Sequence, residues 1–152
     1  MFLFIKWLHV LAAILAFGSN LTYAVWLALA SRSPEHLPFT LRSIQWIDNR
    51  LANPGYGVLL ITGLIMAFIT DLPLTTPWLL TALVLYALTA LSGILFYAPA
   101  FRRQIQVLEK EGPDSPAYRA ADRKATRLGM FLVLLALGIV YLMVVKPALW
   151  GG

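Results

Sequence analysis

The fold is decided by the stretch LGMFLVLLALGIVYLMVVKP, residues 128–147, which has no charged side chain between Arg127 and Lys146. A helix needs about 20 mostly apolar residues to cross the hydrocarbon core of a bilayer, and this stretch meets that length. Backbone groups in lipid must find their hydrogen bonds within the segment. The stretch is therefore predicted to be a transmembrane helix.

Three further apolar stretches precede this one and are long enough to cross a bilayer. Together the predicted spans cover residues 2–30, 53–70, 77–98 and 128–147. The sequence therefore predicts an all-α protein, a polytopic transmembrane four-helix bundle. We expect one integral membrane domain over residues 1–152, because no internal repeat or low-complexity tract marks a second one.

The composition points to the same class of protein. Of the 152 residues, 60% are hydrophobic and 12% are charged, whereas an average soluble domain has about 25% charged residues. This excludes an intrinsically disordered chain and an ordinary water-soluble enzyme. A disulfide scaffold is excluded as well, because the chain has no cysteine.

The distribution of basic residues predicts the orientation of the spans. Apart from Lys6 and Lys146, all basic residues fall in the loops that join spans one and two and spans three and four. These residues are Arg32, Arg42, Arg50, Arg102, Arg103, Lys110, Arg119, Arg123, Lys124 and Arg127. Because positive charge collects on the cytoplasmic side, we expect both loops to be cytoplasmic and both termini to face outward (N-out, C-out).

Both cytoplasmic loops are predicted to contain short amphipathic helices. Residues 38–51 form one of them, residues 101–111 continue the third span, and residues 117–127 lead into the fourth. Their basic side chains favour attraction to anionic lipid headgroups at the inner surface. Nucleic-acid binding is not favoured, because the basic residues flank the spans on both sides of each loop.

Four prolines lie at the predicted helix boundaries. Pro54 and Pro77 are placed at helix starts, where a proline loses no hydrogen bond. Pro99 and Pro147 are placed where helices stop. We therefore expect the second span to begin near Pro54 and the third to end at Pro99.

His9 is the main candidate for a functional residue, because an ionisable side chain inside a span usually faces a bundle interior or a cavity. The residues that helical periodicity places on or near its face are Ala12, Ala13, Ala16, Asn20 and Tyr23. Neutral imidazole is a good axial ligand for haem iron, so His9 is a candidate metal ligand for haem b. The alternatives are proton transfer, a quinone contact, or a packing histidine hydrogen-bonded to Tyr86, Tyr141 or a threonine.

Three residues are candidates for the position opposite His9 on a bound haem. With the N-terminus outside, His9 lies in the outer half of the bilayer, and Met66, Tyr86 and Met143 lie at a similar depth on the other spans. A methionine partner would give His/Met ligation, which raises the reduction potential. The sequence does not favour one of the three.

Other kinds of chemistry have little support in the sequence. His36 lies in the polar stretch SPEH at residues 33–36 and is interpreted as a solvated loop residue. Two histidines without any cysteine cannot form a structural zinc site. There is no Ser-His-Asp set, phosphate loop, intramembrane carboxylate pair or dinucleotide fingerprint. Any enzymatic activity would therefore depend on a bound cofactor.

Several short motifs resemble those of a known family. They are KWLHVL at residues 6–11, Asp48 with NPG at 53–55, LLITGL at 59–64 and PWLL at 77–80. In these motifs the chain resembles DUF2269, a family of four-span bacterial integral membrane proteins without an assigned activity. The resemblance covers nearly the whole chain and implies a location in the bacterial inner membrane.

A more distant likeness concerns the chemistry. Lys6 and His9 form a Lys-x-x-His pair that opens the first span, as in HemJ-type protoporphyrinogen oxidases and CopD-like copper-resistance proteins. The likeness to HemJ implies haem b binding through His9. It also implies a lysine at the start of the third span, where this chain has TPWLLT at residues 76–81. The missing lysine argues against protoporphyrinogen oxidase activity but leaves haem binding through His9 as an expectation.

The leading hypothesis is a bacterial inner-membrane protein that binds haem b through His9 for electron transfer or haem-linked redox chemistry. Its partners would be the lipid bilayer and either quinone or another membrane redox protein, and the oligomeric state is left open. One alternative is a non-catalytic membrane subunit or assembly factor in which His9 is a packing residue. Another is transport of a metal or a small solute.

Overall fold

A computed structural model describes residues 1–149, and every regular element in this range is helical. The α-helices are α1 (Phe2–Ala30), α2 (Leu37–Ile47), α3 (Asn53–Ile69), α4 (Pro77–Ser92), α5 (Ala98–Glu111) and α6 (Pro116–Val145). A 3₁₀ turn (Pro34–His36) precedes α2, and two π-helical segments (Asp48–Ala52 and Gly93–Tyr97) join α2 to α3 and α4 to α5. The all-α fold class is confirmed.

The chain divides into two compact units, residues 1–74 and residues 75–152. In the first unit, α1 packs against the continuous stretch formed by α2 and α3. In the second unit, α6 packs against the continuous stretch formed by α4 and α5. Each unit is thus a helical hairpin with one arm that contains a π-helical segment.

Small residues bring α1 and α3 close together in the first unit. A Cβ atom placed on Gly55 would lie 3.1 Å from the Cβ of Ala16 and 3.5 Å from the carbonyl oxygen of Ala12. Ala12 and Ala16 are themselves buried, with exposed fractions of 5% and 0%. Small residues of this kind allow the close backbone approach that helix pairs use in membranes.

Two glycines of α6 also lie against the facing arm in the second unit. A Cβ atom on Gly138 would lie 3.7 Å from the side chain of Leu85, and one on Gly129 would lie 3.4 Å from the ring of Tyr97. Higher residue numbers on α6 therefore face lower numbers on α4, so the two arms are antiparallel. The ring of Tyr97 also stacks on Phe101, with 5.6 Å between the ring centroids.

The turn between the two arms of the second unit is set by three residues. Gly112 ends α5 with a positive φ of 80°, a conformation that glycine adopts without steric cost. Ser115 caps α6 by accepting a hydrogen bond from the backbone N–H of Tyr118, at 3.0 Å. Pro116 follows at the first helical position, where it loses no hydrogen bond.

The prediction that a helix stops at Pro99 is wrong, because α5 contains Pro99 and continues to Glu111. Pro54 lies in the first turn of α3, as expected, but α3 follows α2 without a break. A proline inside an α-helix clashes with the carbonyl group four residues earlier. In both stretches that residue, Arg50 or Leu95, lies within the π-helical segment. We infer that the wider π turn accommodates the proline ring and keeps the helix continuous.

The other two proline predictions are confirmed. Pro77 is the first residue of α4. The last helix, α6, ends at Val145, two residues before Pro147. Lys146 lies between them in the left-handed conformation that commonly ends a helix.

Four helices are long and apolar enough to cross a membrane, namely Phe2–Ala30, Pro34–Ile69, Pro77–Glu111 and Pro116–Val145. The four predicted spans are therefore confirmed. The second, third and fourth helices extend beyond the predicted spans, because the amphipathic segments continue from the apolar ones without interruption. Large apolar side chains on these helices are exposed, including Phe68 (71%), Ile94 (70%) and Val144 (76%). Such a surface is suited to lipid rather than water.

The predicted amphipathic helix over residues 38–51 corresponds to α2 and the π-helical segment after it. Leu37, Leu41 and Ile44 of α2 are buried, whereas Phe39 and Trp46 are exposed by 73% and 61%. The predicted helices over residues 101–111 and 117–127 are likewise confirmed as parts of α5 and α6.

Candidate functional site

The candidate site lies where His9 of α1 meets α3. The Nδ1 atom of His9 is 2.8 Å from the Oγ1 atom of Thr62. A Cβ atom on Gly63 would lie 3.2 Å from Cε1 and 3.7 Å from Nδ1 of His9. The absence of a side chain at Gly63 therefore lets the Nδ1–Cε1 edge of the imidazole lie directly on α3.

The hydroxyl group of Thr62 determines which nitrogen of His9 carries the proton. Thr62 Oγ1 is 2.6 Å from the carbonyl oxygen of Val58 and 3.3 Å from that of Leu59. A carbonyl oxygen can only accept, so the single hydroxyl proton of Thr62 is directed to its own helix. Thr62 must then accept the hydrogen bond from His9, which requires a proton on Nδ1. We assign the Nδ1–H tautomer on this basis, which gives Nε2 the lone pair.

A second polar contact joins the same two helices closer to the first turn of α3. The side-chain amide of Asn20 donates to the hydroxyl oxygen of Tyr56 at 2.6 Å. Tyr23, one helical turn after Asn20, is buried with an exposed fraction of 8%. On the predicted face of α1, His9, Ala12, Ala16 and Asn20 contact α3, whereas Tyr23 hydrogen-bonds to Asp48 in the π-helical segment before α3.

The candidate ligands opposite His9 are divided between the two units. Met66 lies on α3, one helical turn after Thr62, and is partly buried. Tyr86 lies on α4 and Met143 lies on α6, so both belong to the second unit. Their role as haem ligands stays a prediction. For the hydrogen bond of His9, the threonine is the partner found, whereas Tyr141 is 58% exposed on α6.

The histidines and carboxylates of the described residues form no metal-binding cluster. Within residues 1–149 no group of three or more His, Cys, Asp or Glu side chains is placed to hold a metal ion. His36 lies in the exposed 3₁₀ turn, where its Nδ1 atom is 3.4 Å from a carboxylate oxygen of Glu35. A porphyrin needs only an axial ligand from the protein, so a single histidine suits haem better than it suits a bare metal ion.

Sequence reasoning missed a polar pair in the second unit, of which Gln104 is buried. Gln104 of α5 is 1% exposed, and its side-chain amide donates to Oδ1 of Asp122 on α6 at 2.8 Å. The signal was present, because Gln104 is flanked by the buried residues Phe101, Ile105 and Leu108 at helical spacing. A polar residue on such a face needs a partner on the facing helix.

The helices and their exposed apolar surfaces define a class, that of polytopic α-helical membrane proteins. Within this class the chain belongs to the DUF2269 family, described as predicted integral membrane proteins, whose family model matches residues 3–147. No curated protein and no solved structure matches the sequence. The more distant likeness to HemJ-type and CopD-like proteins stays a prediction.

Proposed function

We propose that this protein binds haem b through Nε2 of His9 and serves in electron transfer or haem-linked redox chemistry in the bacterial inner membrane. The observation that carries the proposal is the hydrogen bond between His9 and Thr62. Its geometry supports the Nδ1–H tautomer, in which the lone pair of Nε2 would be free to bind iron. A second hydrogen-bond partner on the other nitrogen is a usual feature of metal-binding histidines, because it fixes the ring orientation and raises the basicity of the ligand.

The residues around His9 have distinct parts in this proposal. Thr62 would orient the imidazole and hold its Nδ1 proton, and Gly63 would leave room for the ring against α3. Met66, Tyr86 and Met143 remain the candidates for a second residue that would hold the haem. Haem b would supply one-electron transfer, and quinone or another membrane redox protein would exchange electrons with it.

The visible absorption spectrum of the detergent-purified protein tests the proposal. Protein from haem-replete cells should show a Soret band that is lost in the His9→Ala variant. The matched control is His36→Ala, which removes the other histidine of the chain from an exposed turn and should leave the band unchanged. A colourless wild-type preparation, or a band that survives in a folded His9→Ala variant, would contradict haem binding through His9.

A second candidate function is a non-catalytic membrane subunit or assembly factor in which His9 stabilises the contact between α1 and α3. The direct packing of the imidazole on Gly63 favours this alternative. In that case, the His9→Ala variant should unfold at a lower temperature than the wild-type protein. Neither preparation should be coloured. The same two purified proteins therefore distinguish the candidates.

A further inference from the structure

A shallow, open groove lies on the surface of α6, in the second unit. The residues that line it are Ala120, Arg123, Lys124, Arg127 and Leu128. Their spacing of three and four residues places them on one face of the helix. Three of the five carry a positive charge, so the groove is suited to an anionic group.

The three cations of the groove have little compensating negative charge. The Nε atom of Arg123 donates to the carbonyl oxygen of Arg119 at 3.1 Å. Asp122 adjoins Arg123 and interacts with it electrostatically, but its Oδ1 atom accepts from Gln104. Among residues 75–149 of the second unit, no ion pair to a carboxylate is formed by Arg123, Lys124 or Arg127. The groove therefore has a net positive charge and polar donors available to a ligand.

The groove lies where α6 changes from basic to apolar. Leu128 begins the uncharged stretch that ends at Val145. Phe131 and Leu134 follow Lys124 and Arg127 by seven residues, which places them on the same face, and they are 45% and 63% exposed. A ligand that fits the whole face therefore has an anionic head and an apolar body.

We infer that this face of α6 binds an anionic phospholipid, with its phosphate group at Arg123, Lys124 and Arg127 and an acyl chain along Phe131 and Leu134. Arginine and lysine are the usual phosphate ligands in proteins, and juxtamembrane clusters of them attract anionic lipids. Inorganic phosphate would engage the basic residues alone, whereas a phospholipid would also cover the exposed apolar residues. The inference does not depend on haem binding, since the groove and His9 belong to different units.

Native mass spectrometry of the detergent-purified full chain tests the inference. Phosphatidylglycerol should bind the wild-type protein, and phosphatidylcholine should bind at least about tenfold more weakly. The triple variant R123Q/K124Q/R127Q should lose this preference. The matched control is R102Q/R103Q/K110Q, which removes the same charge from exposed positions of α5 and should retain the preference.

The same measurement separates the possible outcomes. Equal losses in the two triple variants would indicate a diffuse attraction to lipid and would overturn the inference of a site. Displacement of phosphatidylglycerol by equimolar inorganic phosphate would identify a small-anion site and overturn the lipid assignment. If the triple variant does not give a monodisperse helical protein, the single variants R123Q, K124Q and R127Q are each compared with R102Q. A preference unchanged in all of them would also overturn the inference.

Discussion

At the scale of single residues, one threonine determines the chemistry available to His9. The hydroxyl proton of Thr62 is directed to the carbonyl of Val58, so the imidazole must present a proton on Nδ1 and a lone pair on Nε2. The candidate histidine and its face on α1 could be predicted, because both depend only on composition and helical periodicity. Thr62 could not be singled out among the threonines, because its partnership depends on the register of α1 against α3.

Replacing Thr62 with valine removes the hydroxyl group with little change in shape. We expect the Thr62→Val variant to be less stable by about 0.5–2 kcal/mol, because the partly buried imidazole of His9 loses its hydrogen bond to Thr62. The free energy of unfolding in mixed detergent measures this loss.

The control for this change is Thr81→Val. The hydroxyl of Thr81 bonds the carbonyl of Pro77 within its own helix, at 2.8 Å, and no bond to a second helix is lost. A Thr62→Val variant that is no less stable than Thr81→Val would show that the bond to His9 contributes nothing measurable.

At the scale of helices, the two units are shaped by close helix packing and by helices that continue through Pro54 and Pro99. The four apolar stretches could be predicted as spans, because length and hydropathy are sufficient for that. Residues 101–111 were expected to continue the third span, but an unbroken helix through Pro54 and Pro99 could not be predicted, because the usual rule counts only the hydrogen bond and clash of a proline. It takes no account of a π-helical segment at the residue four positions earlier, as seen before Pro54 and Pro99.

Gly55 and Gly57 offer a matched pair on α3. A Cβ atom on Gly55 would lie 3.1 Å from the Cβ of Ala16, whereas one on Gly57 meets nothing within 4 Å. We expect Gly55→Ala to destabilise the protein by about 1–3 kcal/mol through overpacking. Gly57→Ala should leave stability unchanged or raise it by up to about 1 kcal/mol, because alanine favours the helix.

Thermal unfolding of both glycine variants in the same detergent provides the measurement. Equal melting temperatures for the two variants would contradict the close packing of α1 on α3 at Gly55. A lower melting temperature for Gly57→Ala alone would contradict the open surroundings of that glycine.

At the scale of the whole molecule, the fold class and the family are established, whereas the orientation in the membrane is an expectation from charge. In each unit, the basic residues near α2, α5 and α6 lie towards the end at which a turn joins the two helical arms. The sequence could predict this pattern, because the positive-inside rule needs only the positions of the spans and the charges. The pairing of Gln104 with Asp122 needed the facing helix and was therefore missed.

Reporter fusions test the orientation. A reporter active only outside the cytoplasm should be active when fused after Gly152 and inactive when inserted in the turn between Gly112 and Ser115. Both expectations follow from the loop charges, because Lys and Arg beside the spans are retained on the cytoplasmic side. The reverse pattern of activity would contradict the N-out, C-out assignment.

The π-helical segment of the second unit also has a consequence for how the chain can vary in length. In a π-helical turn, the backbone hydrogen bond joins residues five apart rather than four apart. The segment therefore contains one residue more than the same turn of an α-helix. Deleting one residue from Gly93–Tyr97 would leave the α4 and α5 surfaces in phase with α6, whereas a deletion elsewhere would rotate one surface by about 100°. The shortened turn would no longer accommodate Pro99, so natural selection should tolerate the loss of one residue from this segment only where Pro99 is also replaced.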